Sequence, residues 1–216
     1  MVEPDETFLR MWRGKYRWPL HKSRKFSEER IFKLEELVRM NVLDKGSMTM
    51  KDVFAEIVRW KTGGRFKAAN YFLANDEKKV KKSINEVLEL LREEPTRVVE
   101  PMKQLTILDG VKIAVASAFL RFMDPDEHKY GIIDKNVARF LNDQGISHFV
   151  LRSKDDYILY TSKNIQEYQS FNDWLLLKTV ELGSTTYEDI CGNERKFRPV
   201  DVEMAIFTYK TQCKYL

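Results

Sequence analysis

One carboxylate in this chain stands where it could do chemistry. Asp134 follows the apolar pair Ile132-Ile133 and comes directly before a segment with helical spacing. An acid held at the start of a helix can stabilise a developing cation or activate a water molecule. The competing interpretation is that Asp134 is only the N-cap of that helix, because Asp is among the best capping residues. Spacing alone leaves both interpretations open.

A glycine-containing turn lies upstream of this acid. The segment 108–112, LDGVK, separates an apolar stretch from a helix rich in small residues. A short turn between two helices exposes backbone N–H groups at a helix N-terminus, which favours phosphate binding. The residues of this turn therefore predict a site for a phosphate.

Together the turn and the acid resemble two motifs of the endonuclease III-type DNA glycosylases, the HhH-GPD superfamily. That family's hairpin reads L-P-G-V-G-x-K-x-A, and its catalytic segment reads V-D-T-H-V-x-R. Here the hairpin reads LDGVKIAVA and the acid segment reads IDKNVAR, with a similar separation between the two. The matching positions are Leu108, Gly110, Val111, Ala116, Asp134, Val137 and Arg139.

The resemblance implies an all-α, multi-helix fold of two lobes and an enzyme that flips a damaged or mismatched base out of duplex DNA. Asp134 would be its catalytic residue. The resemblance also implies a helix-hairpin-helix at about 101–122, whose Gly110, Val111 and Lys112 would bind a phosphate of DNA. The chain departs from the family at two places: Lys112 replaces the second hairpin glycine, and Ala114 stands where bifunctional members carry a Schiff-base lysine. A divergent, monofunctional glycosylase is therefore expected. The alternatives are a non-catalytic DNA-binding relative that keeps only the fold, and an unrelated helical interaction domain.

The N-terminal segment combines positive charge with aromatic rings. No acidic residue occurs between Glu6 and Glu28. Cations neutralise phosphates, and aromatic faces stack on unpaired bases. We therefore predict a basic aromatic arm over 1–26, followed by a single helical domain over 27–216; the competing interpretation is an arm pinned to the core by its rings. The predicted DNA contacts outside the hairpin are Arg13, Lys15, Arg17 and Arg139, and the candidates for holding a flipped base are Trp12, Trp18, Trp60, Tyr130 and Trp174.

Composition limits the classes of protein. The 216 residues carry a net charge of +4, and 43% hydrophobic with 32% charged residues is typical of a soluble globular protein. No apolar run approaches the roughly 18–20 residues that span a bilayer. Two cysteines cannot hold a four-Cys iron–sulfur cluster, and the three histidines lack metal-ligand spacing. We expect no cofactor, no metal, no membrane contact and no iron–sulfur cluster. The expected protein is a monomer that binds double-stranded DNA in the cytoplasm, on the nucleoid in a prokaryote.

Helical periodicity extends along most of the chain. It predicts helices over about 28–43, 50–61, 66–73, 76–94, 162–182 and 199–214, besides those that flank the turn and follow Asp134. The predicted starts of four of them are marked by capping residues: Ser27, Thr49, Asp76 and Ser162. Segment 148–160 alone has a strand-like composition, which predicts one small β-hairpin or an extended loop. The segment between 183 and 198 is rich in turn-forming residues and is expected to be irregular.

Overall fold

The computed structural model describes residues 3–18, 22–42, 45–64, 66–124, 129–152 and 157–212. These residues are mostly helical, as predicted, and include two short antiparallel β-hairpins. The helices are α1 (Glu6–Arg13), α2 (Arg24–Val42), α3 (Met50–Lys61), α4 (Phe66–Leu73), α5 (Glu77–Glu93), α6 (Val99–Thr106), α7 (Ile113–Met123), α8 (Lys135–Gln144), α9 (Ser162–Leu182) and α10 (Pro199–Gln212); the strands are β1 (Leu151–Arg152), β2 (Tyr157–Ile158), β3 (Thr186–Glu188) and β4 (Glu194–Lys196).

Side-chain caps fix the starts of three helices. Thr49, Asp76 and Thr161 each accept a hydrogen bond from the backbone N–H three residues later, which satisfies a donor that the helix leaves unpaired. Thr49 and Asp76 are where the sequence predicted helix starts, whereas the cap of α9 is Thr161 and not the predicted Ser162. The start of α2 differs from the prediction. Ser27 was expected to cap this helix, but its hydroxyl accepts the N–H of Trp18 at 2.6 Å, and α2 begins at Arg24. Ser27 thus makes a tertiary contact inside the helix.

The central helix of the fold is α7. All of its residues except Ala114 are buried, and it packs against α2, α3 and α6. The ring of Phe119 lies 4.8 Å from that of Phe54 and 5.5 Å from that of Phe72, measured between centroids. The small residues Ala116 and Ala118 allow the neighbouring helices to approach closely. Because α7 is buried on all sides, both of its ends are held in fixed positions. The turn that precedes α7 is therefore held in a fixed position as well.

The N-terminal residues belong to the core of the helical domain and do not form a separate arm. Phe8, Trp12 and Tyr16 are spaced four residues apart, which puts them on one face of the chain at α1, and all three are buried. The rings of Phe8 and Trp12 lie 5.1 Å and 5.4 Å from that of Tyr209 on α10. The predicted arm over 1–26 is therefore corrected for residues 3–18. Residues 1–2 and 19–21 lie outside the described residues.

The sequence predicted the first of the two hairpins but not the second. The pair β1–β2 lies within the segment 148–160, with Leu151 opposite Ile158. The pair β3–β4 was expected to be irregular, since three-residue polar strands carry no useful hydrophobic period. A side chain organises its turn: Asp189 accepts the backbone N–H groups of Cys191 and Asn193 at 2.8 and 2.9 Å.

A buried ionic cluster joins the two ends of the chain. The Arg13 guanidinium donates to Asp201 at 2.9 Å and to Glu28 at 2.7 Å, and all three residues are almost fully buried. Tyr187 donates its hydroxyl to Asp201 at 2.9 Å, and Arg198 pairs with the other oxygen at 2.8 Å. Burial alone would raise the pKa of Asp201, but the charges of Arg13 and Arg198 hold it well below its usual range.

Replacing Arg13 by alanine should lower the free energy of unfolding by about 3–5 kcal/mol, because it leaves buried carboxylates without a partner. Urea titration of the purified variant measures this change. Lys15→Ala is the matched control, since this neighbouring cation is exposed and should change stability by no more than about 0.5 kcal/mol. Equal effects of the two substitutions would contradict the assignment of Arg13 to the core.

Candidate active site

A cleft of about 630 Å³ brings the glycine turn and the acid together. Gly110, Lys112 and Ala114 contribute one part of its wall, from the turn and the first residues of α7. Asp134 contributes another part, from the start of α8. Two elements that are separate in the sequence therefore share a single cavity, which is large enough for a small-molecule ligand or a nucleotide unit.

Asp134 is held in place by the segment before it and by the helix after it. Ile132 and Ile133 are buried, and the N–H of Ile133 donates to the Ser117 hydroxyl of α7 at 3.1 Å. Asp134 caps α8, because its Oδ1 accepts the N–H groups of Asn136 and Val137 at 2.8 and 2.9 Å. Both capping bonds go to Oδ1. The same carboxylate is therefore a helix cap and part of the cleft wall, so the two interpretations of the sequence are compatible.

The turn itself differs from the predicted phosphate clamp. Gly110 has a φ of +79°, and a Cβ there would lie 2.8 Å from the carbonyl oxygen of Ala68 and from the amide nitrogen of Phe72. Close approach of α4 therefore explains this glycine. Val111 is fully buried, and its N–H donates to the Leu108 carbonyl at 3.1 Å, so this amide is already engaged within the turn.

Lys112 is the predicted hairpin residue that offers an exposed cation to the cleft. It stands at the N-cap position of α7 and makes no side-chain capping bond. Its Nζ lies 5.9 Å from the ring centroid of Tyr160, a cation–π contact. A lysine here can bind a phosphate as a point charge. This contact could replace the one that the engaged N–H of Val111 does not provide.

The other predicted DNA contacts are not brought to the cleft. The prediction that Arg13 contacts DNA is wrong, because this residue is buried and paired with Glu28 and Asp201. Lys15 and Arg17 are exposed but lie outside the cleft lining. Arg139, on α8, is partly buried and also lies outside the lining.

Further cations and rings surround the cleft. Lys61 and Lys67 from the α3–α4 region and Lys135 beside the acid line it together with Lys112. Of the five aromatic residues proposed to hold a base, Trp18 lines the cleft, where its indole N–H donates to the Trp60 carbonyl at 2.8 Å. The other four are not part of the cleft lining: Trp12, Trp60 and Tyr130 are buried, and Trp174 is partly buried.

Sequence reasoning missed Tyr71, Lys135 and Glu203. Tyr71 lines the cleft and is half exposed. Glu203, on α10, lines a smaller cavity that shares Trp18 and Lys61 with the cleft. A signal for Glu203 was present, because a lone acid stands within the apolar segment 202–207, VEMAIF. An acid surrounded by apolar residues on a buried helix is costly, which makes it a candidate for function.

Comparison of the chain with protein-family models, curated proteins and solved structures found no match. Within the described ranges, no helix is both long and apolar enough to cross a membrane. In the same part of the chain, no three His, Cys, Asp or Glu side chains are grouped to hold a metal ion.

Gly110→Ala should lower the free energy of unfolding by about 2–5 kcal/mol, because it combines a left-handed backbone with a clash against α4. Gly145→Ala is the matched control: its φ is +70°, but the added Cβ would meet nothing within 4 Å. That variant should lose only about 1–2 kcal/mol. Chemical denaturation of both variants measures the difference, and a smaller loss for Gly110→Ala would contradict the packing against α4.

Proposed function

We propose that this protein binds DNA in base-excision repair and is a monofunctional DNA glycosylase that cleaves the N-glycosidic bond of a damaged or mismatched base. The observation that carries the proposal is the single cleft lined by Asp134, by the Gly110–Lys112 turn, by lysines and by aromatic rings. The resemblance of the same two segments to the HhH-GPD motifs is a second, independent argument.

The lining of the cleft suits a nucleotide that has left the duplex. Lys61, Lys67, Lys112 and Lys135 supply cations that can neutralise phosphates on either side of it, a contact that positions the strand without reading its sequence. Trp18 and the exposed ring of Tyr71 offer apolar faces on which a base can stack. Extrusion of the base is required, because the N-glycosidic bond is inaccessible within the stacked duplex.

Asp134 would act on the sugar. As the bond between C1′ and the base breaks, positive charge develops on the sugar ring, and a carboxylate beside it stabilises that charge. The same carboxylate can accept a proton from the water that attacks C1′. Because the N–H groups of Asn136 and Val137 fix the side chain, it is preorganised and need not turn during the reaction. The hydroxyl group of the water then remains on the sugar, and a proton ends on the released base.

The residue at the Schiff-base position argues for base release without strand cleavage. Ala114 lines the cleft and has no nucleophilic group. The reaction would therefore end at an abasic site. The cleft does contain amines, on Lys61, Lys67, Lys112 and Lys135. An attack on the sugar by one of them would produce strand breaks without alkali. Reading strand breaks with and without alkali separates these outcomes.

A non-catalytic DNA-binding protein is the second candidate. The observation that favours it is the capping role of Asp134, which gives this residue a structural reason to be where it is. The replacement of the second hairpin glycine by Lys112 points in the same direction. In that case the lysines and rings of the cleft would hold an extruded nucleotide without cutting it.

Asp134→Asn should reduce base release by about 10²–10⁴-fold and leave duplex binding within several-fold. Asparagine caps a helix as well as aspartate does, so the fold should be retained. The assay uses duplexes that each carry one uracil, one thymine opposite guanine, one hypoxanthine, one oxidised purine or one alkylated purine. Breaks should form only after alkali. Asp76→Asn, at the cap of α5 and outside the cleft, is the matched control and should keep full activity.

Two results would count against catalysis by Asp134. Equal base release by the wild type and Asp134→Asn would remove the residue from the reaction. The second result is a wild type that releases no base from any duplex of the panel and still binds duplex in a salt-sensitive way. That result would favour the non-catalytic candidate, since binding through phosphates weakens as salt rises.

A further inference from the structure

A second carboxyl group lies behind the cleft. Glu203 is only 4% exposed and lines a cavity of about 20 Å³ together with Trp18, Lys61 and Trp60. Trp18 and Lys61 also line the large cleft, so the small cavity adjoins it. A polar cavity of this size accommodates about one water molecule.

Two observations show that this cavity is polar. The backbone N–H of Ile132, two residues before Asp134, donates to the Glu203 carboxyl. Trp60, which also lines the cavity, carries a buried indole N–H that has no hydrogen-bond partner in the described part of the chain. A buried donor without a partner is costly, and a polar atom of a water or ligand in the cavity would satisfy it.

The surroundings of Glu203 favour its protonated form. Burial raises the pKa of Glu203 to about 8; Asp134 raises it as well, while Lys61, the Ile132 N–H and Arg121 lower it. The titratable and charged groups that act on it come from five elements: Lys61 on α3, Arg121 on α7, Asp134 at the start of α8, Tyr16 after α1 and Tyr168 on α9. The proton-holding form of Glu203 is thus favoured in a cavity that adjoins the cleft lined by the partly buried Asp134.

We propose that Glu203 is the proton donor to the leaving base and acts through one water molecule in the small cavity. This inference rests on the proposed function. The C1′–N bond breaks and its electron pair goes to the base, which takes a proton from the relay water while that water takes the proton of Glu203. The attacking water leaves its hydroxyl on C1′ and its proton on Asp134. That proton returns to Glu203 through the cleft, so each turnover consumes one water.

The different roles of Asp134 and Glu203 follow from their different surroundings. A leaving base needs an acid, and a developing sugar cation needs a carboxylate. The cleft and the cavity behind it provide one of each, because Glu203 is enclosed by aromatic rings whereas Asp134 opens to the cleft. Pairs of carboxyl groups in contrasting surroundings are a recurrent way of assigning acid and base roles at neutral pH.

The test compares the wild type with Glu203→Gln, which keeps the size of the side chain and an acceptor for Ile132 but cannot give a proton. Single-turnover base release is measured from pH 5.5 to pH 9.5 on the panel duplex that the wild type processes fastest. The wild-type rate should fall about tenfold per pH unit above pH 8 as Glu203 loses its proton. The variant should be about 10²–10⁴-fold slower below pH 8 and should lack this fall.

Two further variants separate proton donation from a structural effect. Glu203→Asp keeps an acid and should retain the alkaline fall at a lower rate. Asp189→Asn changes a buried carboxyl in the β3–β4 turn, outside both cavities, and should keep the wild-type profile. Urea unfolding provides the check on folding. Between about pH 4.5 and 8 the Glu203 carboxyl binds more protons in the folded than in the unfolded chain, so its contribution to stability should fall as pH rises through this range. Glu203→Gln should lack that component.

The outcomes distinguish this inference from the function on which it rests. An active wild type and a folded Glu203→Gln with the same alkaline fall would overturn the role of Glu203 and leave the glycosylase proposal standing. A wild type that releases no base from any duplex would overturn both. Loss of the alkaline fall in Glu203→Gln with its retention in Glu203→Asp would establish Glu203 as the proton donor.

Discussion

The buried contact between Arg13 and Asp201 ties α1 to α10, and the site behind the cleft depends on it. Glu203 follows Asp201 by two residues, and Trp18 follows Arg13 by five. Fixing these two cluster residues at 2.9 Å therefore fixes the helix that carries the buried acid and the chain segment that carries the indole. An ion pair without water is stable only when its remaining lone pairs are satisfied, and Tyr187 and Arg198 do this for Asp201.

The front of the cleft depends on a different constraint, the complete burial of α7. Its small residues let other helices approach, and the hydroxyl of Ser117 receives the N–H of Ile133. This bond places the start of α8, so that Asp134 lies beside the turn that precedes α7. The turn is equally constrained from its other side, since α4 leaves no room for a Cβ at Gly110. The cleft is thus a consequence of how two helix starts are packed.

The local part of this arrangement could be predicted from the sequence, and the long-range part could not. Caps at Thr49 and Asp76 are decided within one turn of helix, so their residue types suffice. The meeting of Lys61 with Glu203 depends on the packing of α3 near α10, which no local pattern encodes. The expectation of an arm separate from the core was wrong because the charges of the segment received more weight than the four-residue spacing of Phe8, Trp12 and Tyr16. Arg13 is the clearest example. It lies in a basic segment and was predicted to contact DNA, but its side chain is buried and paired with carboxylates.

The central claim is that one cleft receives a nucleotide between the turn and Asp134. Hydrogen–deuterium exchange tests it directly, with and without a duplex that carries an abasic-site analogue. Bound duplex should slow exchange in segments 66–71, 110–116 and 133–137, which form the cleft wall. Segment 93–101, which lines a separate groove with acidic residues, should be unaffected. Protection confined to surfaces outside the cleft, with the three segments unchanged, would contradict the account.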